Sequence, residues 1–481
     1  MAYLGIDIGT SSVKALVVDE GGDVLARTSV AYPTAYGVGG AAEQDPDHWV
    51  RAIADAVRAL PAAVRAAVGA IAVDGHVPSL VLVEDAGRPL RAAITWQDAR
   101  PGAEAERLGA ELGDVSDEVG TTLPWAAAQL LPQLAWVAEH EPAARRARWA
   151  LAPKDYVNLH LTGEVASDPW TAKGMCDTRT GEPVPRLLEA AGWNASIVPT
   201  TRTPWEPIGH LRSEIADTLG LPSGVHVATG WTDALAAILA VGAFESPRGF
   251  LLTGTSNIVG VSTRRTASAT GLYSVPQGPS APLPLLYGPT QSGGDTLLWW
   301  ARLLGVDVPE LVALAADADG RDLPTIAPYL RGERAPIWDA GLRSLVAGLG
   351  VDDDRARVAR SVLSGVALGA RHVLDLAADA AGDEPDGVDI GGTGADDAGW
   401  RAVWLTTLGR RVRIHREPSL SALGAAMLAA LATGRTLADL DGLRSDPVAL
   451  DPEPGDLAAA GAAAARYRRA STIAQDWRTH V

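Results

Sequence analysis

Residues 5–18 read GIDIGTSSVKALVV, and residues 249–262 read GFLLTGTSNIVGVS. Superposed at Gly9 and Gly254, both give an apolar run, Gly-Thr-Ser, a polar residue and a second apolar run. Each run has the composition of a strand, and the glycine makes the junction a turn. The copies start about half a chain apart. Two unrelated hairpins would explain the pair, but a repeat predicts two similar domains, each presenting a glycine turn. Backbone N–H groups of such turns face anions well. Thr10, Ser11, Thr255 and Ser256 add hydroxyl donors, so one turn per domain could grip a polyphosphate from both sides.

Asp7 breaks the first apolar run, at the place where the second copy has Leu252. A carboxylate in a buried strand needs a partner. Hydrated Mg²⁺ beside phosphate is a natural one, because Mg²⁺ favours one or two carboxylates plus substrate oxygens. Lys14, on the strand leaving the turn, either faces solvent or reaches a phosphate.

Outward from the two turns, strands alternate with helices. Strands are predicted at 2–9, 12–20, 23–32, 68–75, 79–85 and 92–98, with a helix after EQDPDHW (43–49) and a mostly helical stretch over 100–141. The pattern restarts after Gly209: strands at 223–230, 248–254, 257–263 and 386–392, and helices at 233–243, 295–304, 355–378, from about Asp396, and at 419–432. Residues 271–289, rich in Pro and Gly, read as a loop or insertion, and the tail after Pro452 as a helix. Such alternation implies α/β layers.

A third glycine turn, DIGGTGADDAGW (389–400), follows a strand and opens a helix. It does not complete G-x-G-x-x-G, so a Rossmann fold is not supported, and no P-loop or protein-kinase signature is present. Asp233 precedes ten residues that are all apolar or glycine, Ala234 to Ala243. Read alone, it is a helix cap, suited to the positive end of the helix dipole.

The 481 residues suffice for two to four domains, and 47% hydrophobic with 21% charged residues is a globular composition. A net charge of −17 argues against nucleic acid or an anionic membrane as partner. It leaves phosphate substrates open, since local backbone dipoles can hold them. The single cysteine, Cys176, excludes an internal disulfide and a cysteine-rich zinc site. The start lacks the pattern of a signal peptide and no run is long enough for a membrane span, so a soluble cytoplasmic protein is expected. Only Lys14, Lys154 and Lys173 are lysines; every other strong base is arginine.

These motifs, in this order, resemble those of the FGGY carbohydrate kinases, most closely the xylulokinase branch. YLGIDIGTSSVKALVVDEGG (3–22) is similar to the first phosphate motif, and EQDPDHW, AITWQDAR (93–100) and LAPKDYVNLHLTGEVASD (151–168) to N-domain motifs. TGWTDALAAILAVGA (229–243) is similar to the segment bearing the catalytic aspartate. LLTGTSNIV (251–259) resembles the second phosphate loop, and YLRGERAPIWDAGLRSLVAGL (329–349) a C-domain signature. IGGTGADDAGWRAVWLTTLGRRV (390–412) and SALGAAMLAAL (421–431) resemble the adenosine motif and the helix after it.

The resemblance implies two α/β domains of the actin/hexokinase-like (ribonuclease H-like) ATPase fold flanking a cleft, residues 1–243 and 244–481. It implies ATP and Mg²⁺, with Asp233 as general base and Asp7 at the metal. ATP would be bound by Gly9, Thr10, Ser11, Lys14, Gly254, Thr255, Ser256, Gly391, Gly392, Thr393, Gly394 and Asp396. The sugar would meet His76, Val77, Pro78, Trp96, Asp98, Trp231 and Asp233. Partners are then a sugar and ATP, and a homodimer is the candidate assembly. The expected acceptor is a ketopentose such as D-xylulose. The alternatives are another ketose or polyol (L-ribulose, glycerol or erythritol type), or a catalytically silent sugar-binding regulator.

Two departures bear on the substrate. Pro78 stands where xylulokinases carry the histidine of G-Q-M-H-G, so one sugar contact is lost or passes to His76, which is otherwise a locally satisfied histidine. The adenosine turn lacks its usual arginine and gains Asp396 and Asp397. Trp96 is either a sugar platform or a core aromatic.

Overall fold

The computed structural model describes residues 1–479; the end of the predicted C-terminal helix, His480 and Val481, lies outside the described residues. The chain forms two compact units. Unit 1 comprises Met1–Ala240, Val275–Leu283 and Ser419–Arg444, and unit 2 comprises Val241–Ser274, Pro284–Pro418 and Ser445–Val481. Where the sequence reading has a single boundary at 243/244, the chain therefore passes between the units several times.

Unit 1 is built on a six-stranded sheet ordered Pro207–His210, His226–Ala228, Val68–Gly75, Ala2–Ile8, Ser12–Asp19, Val24–Ala31. The last three form an antiparallel meander, while Val68–Gly75 runs parallel to both Ala2–Ile8 and His226–Ala228. The outermost strand, Pro207–His210, is antiparallel to its neighbour. The central strand Ala2–Ile8 is buried throughout, as its run, apolar apart from Asp7, favours.

The main sheet of unit 2 repeats this plan. Gly249–Thr253 and Ile258–Ser262 are the antiparallel pair, Leu285–Pro289 extends it, and Val388–Gly392 and Val412–Ile414 add in parallel on the other side. Val448–Leu450 closes that edge antiparallel. The repeat at Gly9 and Gly254 is therefore a repeat of whole sheets.

One expectation is corrected here. Residues 271–289 are not a loop: Tyr273–Val275 and Leu285–Pro289 are strands, the second occupying the place that Val24–Ala31 holds in unit 1. Pro and Gly around short apolar runs mask the strand signal. Leu285–Pro289 is buried at every position, so no polar alternation marks it.

The helix Leu420–Ala432, assigned to the second domain by the sequence reading, packs in unit 1 at backbone distance. A Cβ on Gly424 would lie 1.9 Å from the Ala236 carbonyl oxygen, and one on Gly5 would lie 1.8 Å from that of Ala422. Only glycine permits these approaches. They press Leu420–Ala432 against both the central strand and the helix Asp233–Ala240. Among the described residues no helix is long and apolar enough to cross a membrane.

Candidate active site

The strand Ala2–Ile8 ends in a turn closed by the bond from Gly9 N–H to the Ser12 carbonyl, 3.0 Å. Three side chains hold this turn. The Tyr32 hydroxyl donates to the Gly9 carbonyl, the Gln44 amide donates to the Thr10 carbonyl at 2.7 Å, and the Trp96 indole N–H donates to Thr10 Oγ1 at 3.2 Å. The turn thus reaches its shape before any ligand arrives.

Asp7 is buried one residue before the turn's final strand position, with Lys14 Nζ 3.4 Å from its Oδ2. Its strand register pairs it with Lys14 on one side and with Asp74 on the other. Asp74, fully buried at the end of Val68–Gly75, was not singled out in the sequence. The signal was present: VDG after an apolar run mirrors the Asp of GIDIG. Among the described residues, no N–H or hydroxyl donates to Asp7 Oδ1 or to either Asp74 oxygen. Burial, followed by the charges of Asp7 and Asp233, drives the Asp74 carboxyl well above the usual carboxylate range. An acceptor-only oxygen left bare in a buried site fits a cation. Asp7 therefore has the donor chemistry a Mg²⁺ ion requires.

Asp233 is the first residue of the helix Asp233–Ala240, and its role there differs from the cap expected of it. Thr232 is the cap: its Oγ1 accepts Leu235 N–H at 3.3 Å, and its carbonyl accepts Ala236 N–H at 2.9 Å. Asp233 accepts only its neighbour's N–H, from Ala234 to Oδ1 at 2.7 Å. Burial, then the Asp7 charge, raise its pKa to about 7, against the partial relief of that N–H, Lys14 and Lys173. A carboxyl in this state exchanges a proton near neutral pH.

The segment leading to Asp233 is fixed by a buried ion cluster that the sequence reading did not assign. Lys154 Nζ lies 2.5 Å from Asp155 and 3.1 Å from Asp168, all three buried, and it donates to the Thr229 carbonyl at 3.3 Å. Asn158 donates to the same carbonyl at 2.8 Å. Gly230, at φ +77°, passes so close to Val73 that a Cβ would lie 1.9 Å from its carbonyl oxygen. Thr232 then bridges to Gly75, at the end of the strand that carries Asp74.

The residues expected to meet sugar fall into different surroundings. His76 lies one residue beyond its strand, buried, with Nδ1 2.8 Å from Ser79 Oγ and its ring edge-on to Trp49 at 5.9 Å. Burial lowers its pKa to about 4, so it is neutral. Ser79 Oγ accepts the Trp96 backbone N–H at 3.3 Å. The serine proton can then go to His76 Nδ1, which places the histidine's own proton on Nε2, a buried atom with no acceptor among the described residues. Val77 and Pro78 follow, half-buried.

Asp98 differs most from expectation, because its oxygens are already engaged. They take the Ala42 N–H at 2.9 Å and the fork of Arg100, with Nε contacts at 3.0 and 3.1 Å. Although burial opposes it, Arg100 holds this carboxyl below its usual range. Asp98 therefore braces the segment that presents Trp96. Trp231 is fully buried, edge-on to Trp205 at 6.4 Å.

In unit 2 the turn Gly254–Ser256 is backed by the helix Gly294–Leu304. Gly294 N–H donates to the Gly254 carbonyl at 2.9 Å, and a Cβ on Gly293 would lie 2.8 Å from the Thr255 carbonyl oxygen. That glycine pair, in QSGGDT (291–296), also escaped the sequence reading. Thr253 Oγ1 lies 3.1 Å from the Gly391 carbonyl and 3.2 Å from that of Thr393, tying this turn to the one formed by Gly391, Gly392, Thr393 and Gly394. Asp396 does not leave a bare charge there. Arg401, from the helix after the turn, and Arg416 donate to its two oxygens at 2.7 and 2.8 Å, so arginines from outside the turn supply the cation that the turn itself lacks.

Two sheets of one plan, each with a glycine turn leaving its central strand, and a carboxylate group at the first turn define an actin-like ATPase fold equipped for phosphoryl transfer. The chain belongs to the FGGY family of carbohydrate kinases: residues 2–240 match the family's N-terminal domain and residues 249–433 its C-terminal domain. It is therefore an ATP-dependent phosphotransferase acting on a carbohydrate. The chain is 32% identical to the xylulose kinase of Streptomyces coelicolor over 456 residues, 90% of this chain and 89% of that one. It is 31% identical to the xylulose kinase of Escherichia coli over 449 residues, 89% and 90% of the two chains. The crystal structure of xylulose kinase from Rhodospirillum rubrum superposes with a TM-score of 0.89 at 26% identity, covering 100% of both chains.

Proposed function

We propose that the protein transfers the γ-phosphoryl group of ATP to a ketopentose, D-xylulose, with Asp233 as general base. The observation that carries this reading is the state of Asp233. Thr232 performs the capping, and burial beside Asp7 brings the Asp233 carboxyl to a pKa of about 7. A base matched to the working pH combines the correct protonation state with useful basicity. Asp233 takes the proton of the acceptor hydroxyl, and the freed oxygen attacks the γ-phosphorus in line as the bond to ADP breaks.

The remaining residues position and neutralise. The turn of Gly9, Thr10 and Ser11 and the turn of Gly254, Thr255 and Ser256 offer N–H and hydroxyl donors to phosphate oxygens, and Lys14 adds a cation beside Asp7. The turn from Gly391 to Asp396 receives the adenosine. Asp7 would hold Mg²⁺ through the oxygen that has no donor among the described residues. When bound, that ion neutralises phosphate charge. Trp96, His76, Val77, Pro78 and Trp231 border the acceptor. Relatives at 31–32% identity that are xylulose kinases support the choice of pentulose.

The test is ADP release over a panel of D-xylulose, L-ribulose, glycerol and erythritol. D-Xylulose is expected to give the highest kcat/KM. A higher value for glycerol or erythritol would replace the substrate assignment.

A further inference from the structure

Three side chains that the phosphoryl-transfer site does not use meet where the helices Gly102–Leu112 and Leu130–His140 of unit 1 pack together. One carboxylate oxygen each of Glu104 and Glu139 and a ring nitrogen of His140 lie within 4.8 Å of one another. Glu104 is the unusual member. The first turn of a helix suits a carboxylate through the helix dipole, which explains an acid at this position but not a buried one. Glu104 is only 4% exposed. Its Oε1 lies 3.6 Å from His140 Nδ1, and its Oε2, buried, accepts no N–H or hydroxyl among the described residues. A buried carboxylate oxygen without a donor calls for a cation.

A protonated His140 could serve, but its Nδ1 already faces the Trp136 carbonyl at 3.0 Å, one turn back on its own helix. With the Nδ1 proton placed there, Nε2 keeps its lone pair. Metal-bound histidines take this arrangement, the other ring N–H being held by a carbonyl. The ring is also held in place, stacked on Trp136 with centroids 5.1 Å apart and planes 12° apart. The far partner of that indole is Arg100, whose guanidinium carbon lies 4.3 Å from the ring centroid. Arg107 donates to Glu139 Oε1 at 2.9 Å and orients that carboxylate, as outer partners do for carboxylates that ligate metals.

We propose that Glu104, Glu139 and His140 form a Zn²⁺ site, completed by water, that joins the two helices. The site is independent of the sugar-kinase reading. Zn²⁺ takes imidazole nitrogen and carboxylate oxygen at about 2.0–2.2 Å. Two ligand atoms of one ion then stand no more than about 4.4 Å apart, so a cluster spanning 4.8 Å closes by small rotations of the exposed Glu139 and His140 side chains. The imidazole separates this site chemically from Asp7, because Mg²⁺ prefers oxygen ligands whereas imidazole suits zinc.

The test is titration of the untagged full-length protein with Zn²⁺ in competition with a chromophoric chelator, in excess Mg²⁺. The wild type should take up a single tightly held Zn²⁺ per chain, and its thermal midpoint should rise with it. His140→Ala changes an exposed side chain and should fold normally. Glu104→Gln keeps the shape and removes a buried charge, so without zinc it should melt at or above the wild-type temperature. Each variant should weaken Zn²⁺ binding by at least about tenfold, a loss that removing even an outer partner of a metal ligand causes. Two controls should bind zinc as the wild type does. Asp7→Asn alters the candidate Mg²⁺ ligand, and His210→Ala breaks the pair of His210 and His226, whose ring centroids are 4.6 Å apart. Co²⁺ gives a second readout: its ligand-field absorption should appear with the wild type and be lost in His140→Ala. No zinc uptake by the wild type, or uptake that His140→Ala and Glu104→Gln leave unchanged, would overturn the proposal. Loss of the ion in Asp7→Asn or His210→Ala instead would place it elsewhere and overturn the proposal as well.

Discussion

Replacing Asp233 with Asn should make the enzyme nearly inactive and, at neutral pH, more stable. Asn cannot take a proton from the sugar hydroxyl, and general-base catalysis is typically worth ~10²–10⁴ in rate. Sugar and ATP binding should change little, because Thr232 caps the helix without help from position 233. The stability change follows from the pKa, which rises from 3.8 unfolded to about 7 folded through burial and then Asp7. A raised folded pKa means stability that is complete below the unfolded pKa and is lost as pH rises through the folded one. Between about pH 4 and pH 7, ionising Asp233 in the wild type therefore costs about 4 kcal/mol at most, about three pKa units at 1.36 kcal/mol each. Asn never incurs this cost. The lost Ala234 contact geometry and relaxation around the site reduce the gain, so a difference of about 1–3 kcal/mol at pH 8 is expected. The assay is paired: kcat by coupled ADP release at pH 8, and denaturant unfolding of both proteins from pH 4 to pH 8. The stability difference should be near zero at the acid end and grow to its full size above pH 7. An Asn variant within threefold of the wild-type kcat would refute the base assignment. An inactive variant whose stability difference does not grow with pH would refute the electrostatic account of how Asp233 is tuned.

The wild-type kcat should itself rise with pH through about 7, falling about tenfold per unit on the acid side; a flat profile between pH 5.5 and 8 would contradict a base in this state. Asp7→Asn should weaken Mn²⁺ binding in the presence of ADP, read by electron paramagnetic resonance, because the bare Asp7 Oδ1 is then a neutral amide atom; unchanged binding would leave Asp7 a structural residue. Gly424→Ala forces a methyl toward the Ala236 carbonyl at 1.9 Å, and overpacking of this kind costs about 1–3 kcal/mol or more, so its melting temperature should drop by several degrees, whereas Gly461→Ala, at an exposed helix position with nothing within 4 Å, should be neutral or stabilising.

The division into strands, turns and helices was readable because it is local. An apolar run, a glycine and a second apolar run determine a strand, turn and strand wherever they occur, and their recurrence at Gly254 announced the second sheet. Asp7 and Asp233 stood out for the same reason, as charges interrupting apolar context. Position 233 also shows where local reading ends. An aspartate before an apolar helix is a cap unless its neighbour does the capping, and only the fold shows that Thr232 does. Likewise Asp98 looked like a sugar ligand in TWQDAR, and Arg100 with the Ala42 N–H turns it into a brace. The pairing of Asp74 with Asp7, the bond from Lys154 to the Thr229 carbonyl and the close approach of Gly424 to Ala236 join residues 67, 75 and 188 apart in the chain, and no short window of sequence contains both partners. Residues 285–289 were missed because a fully buried strand has no polar face to alternate with. The sequence by itself determined the repeated strand–turn–strand frame and the chemistry available at each turn, since both are set by near neighbours. Which carboxylate is spent on structure, and which stays available for a proton or a cation, was decided only by tertiary structure, because burial and the charges brought alongside set the ionisation of each one.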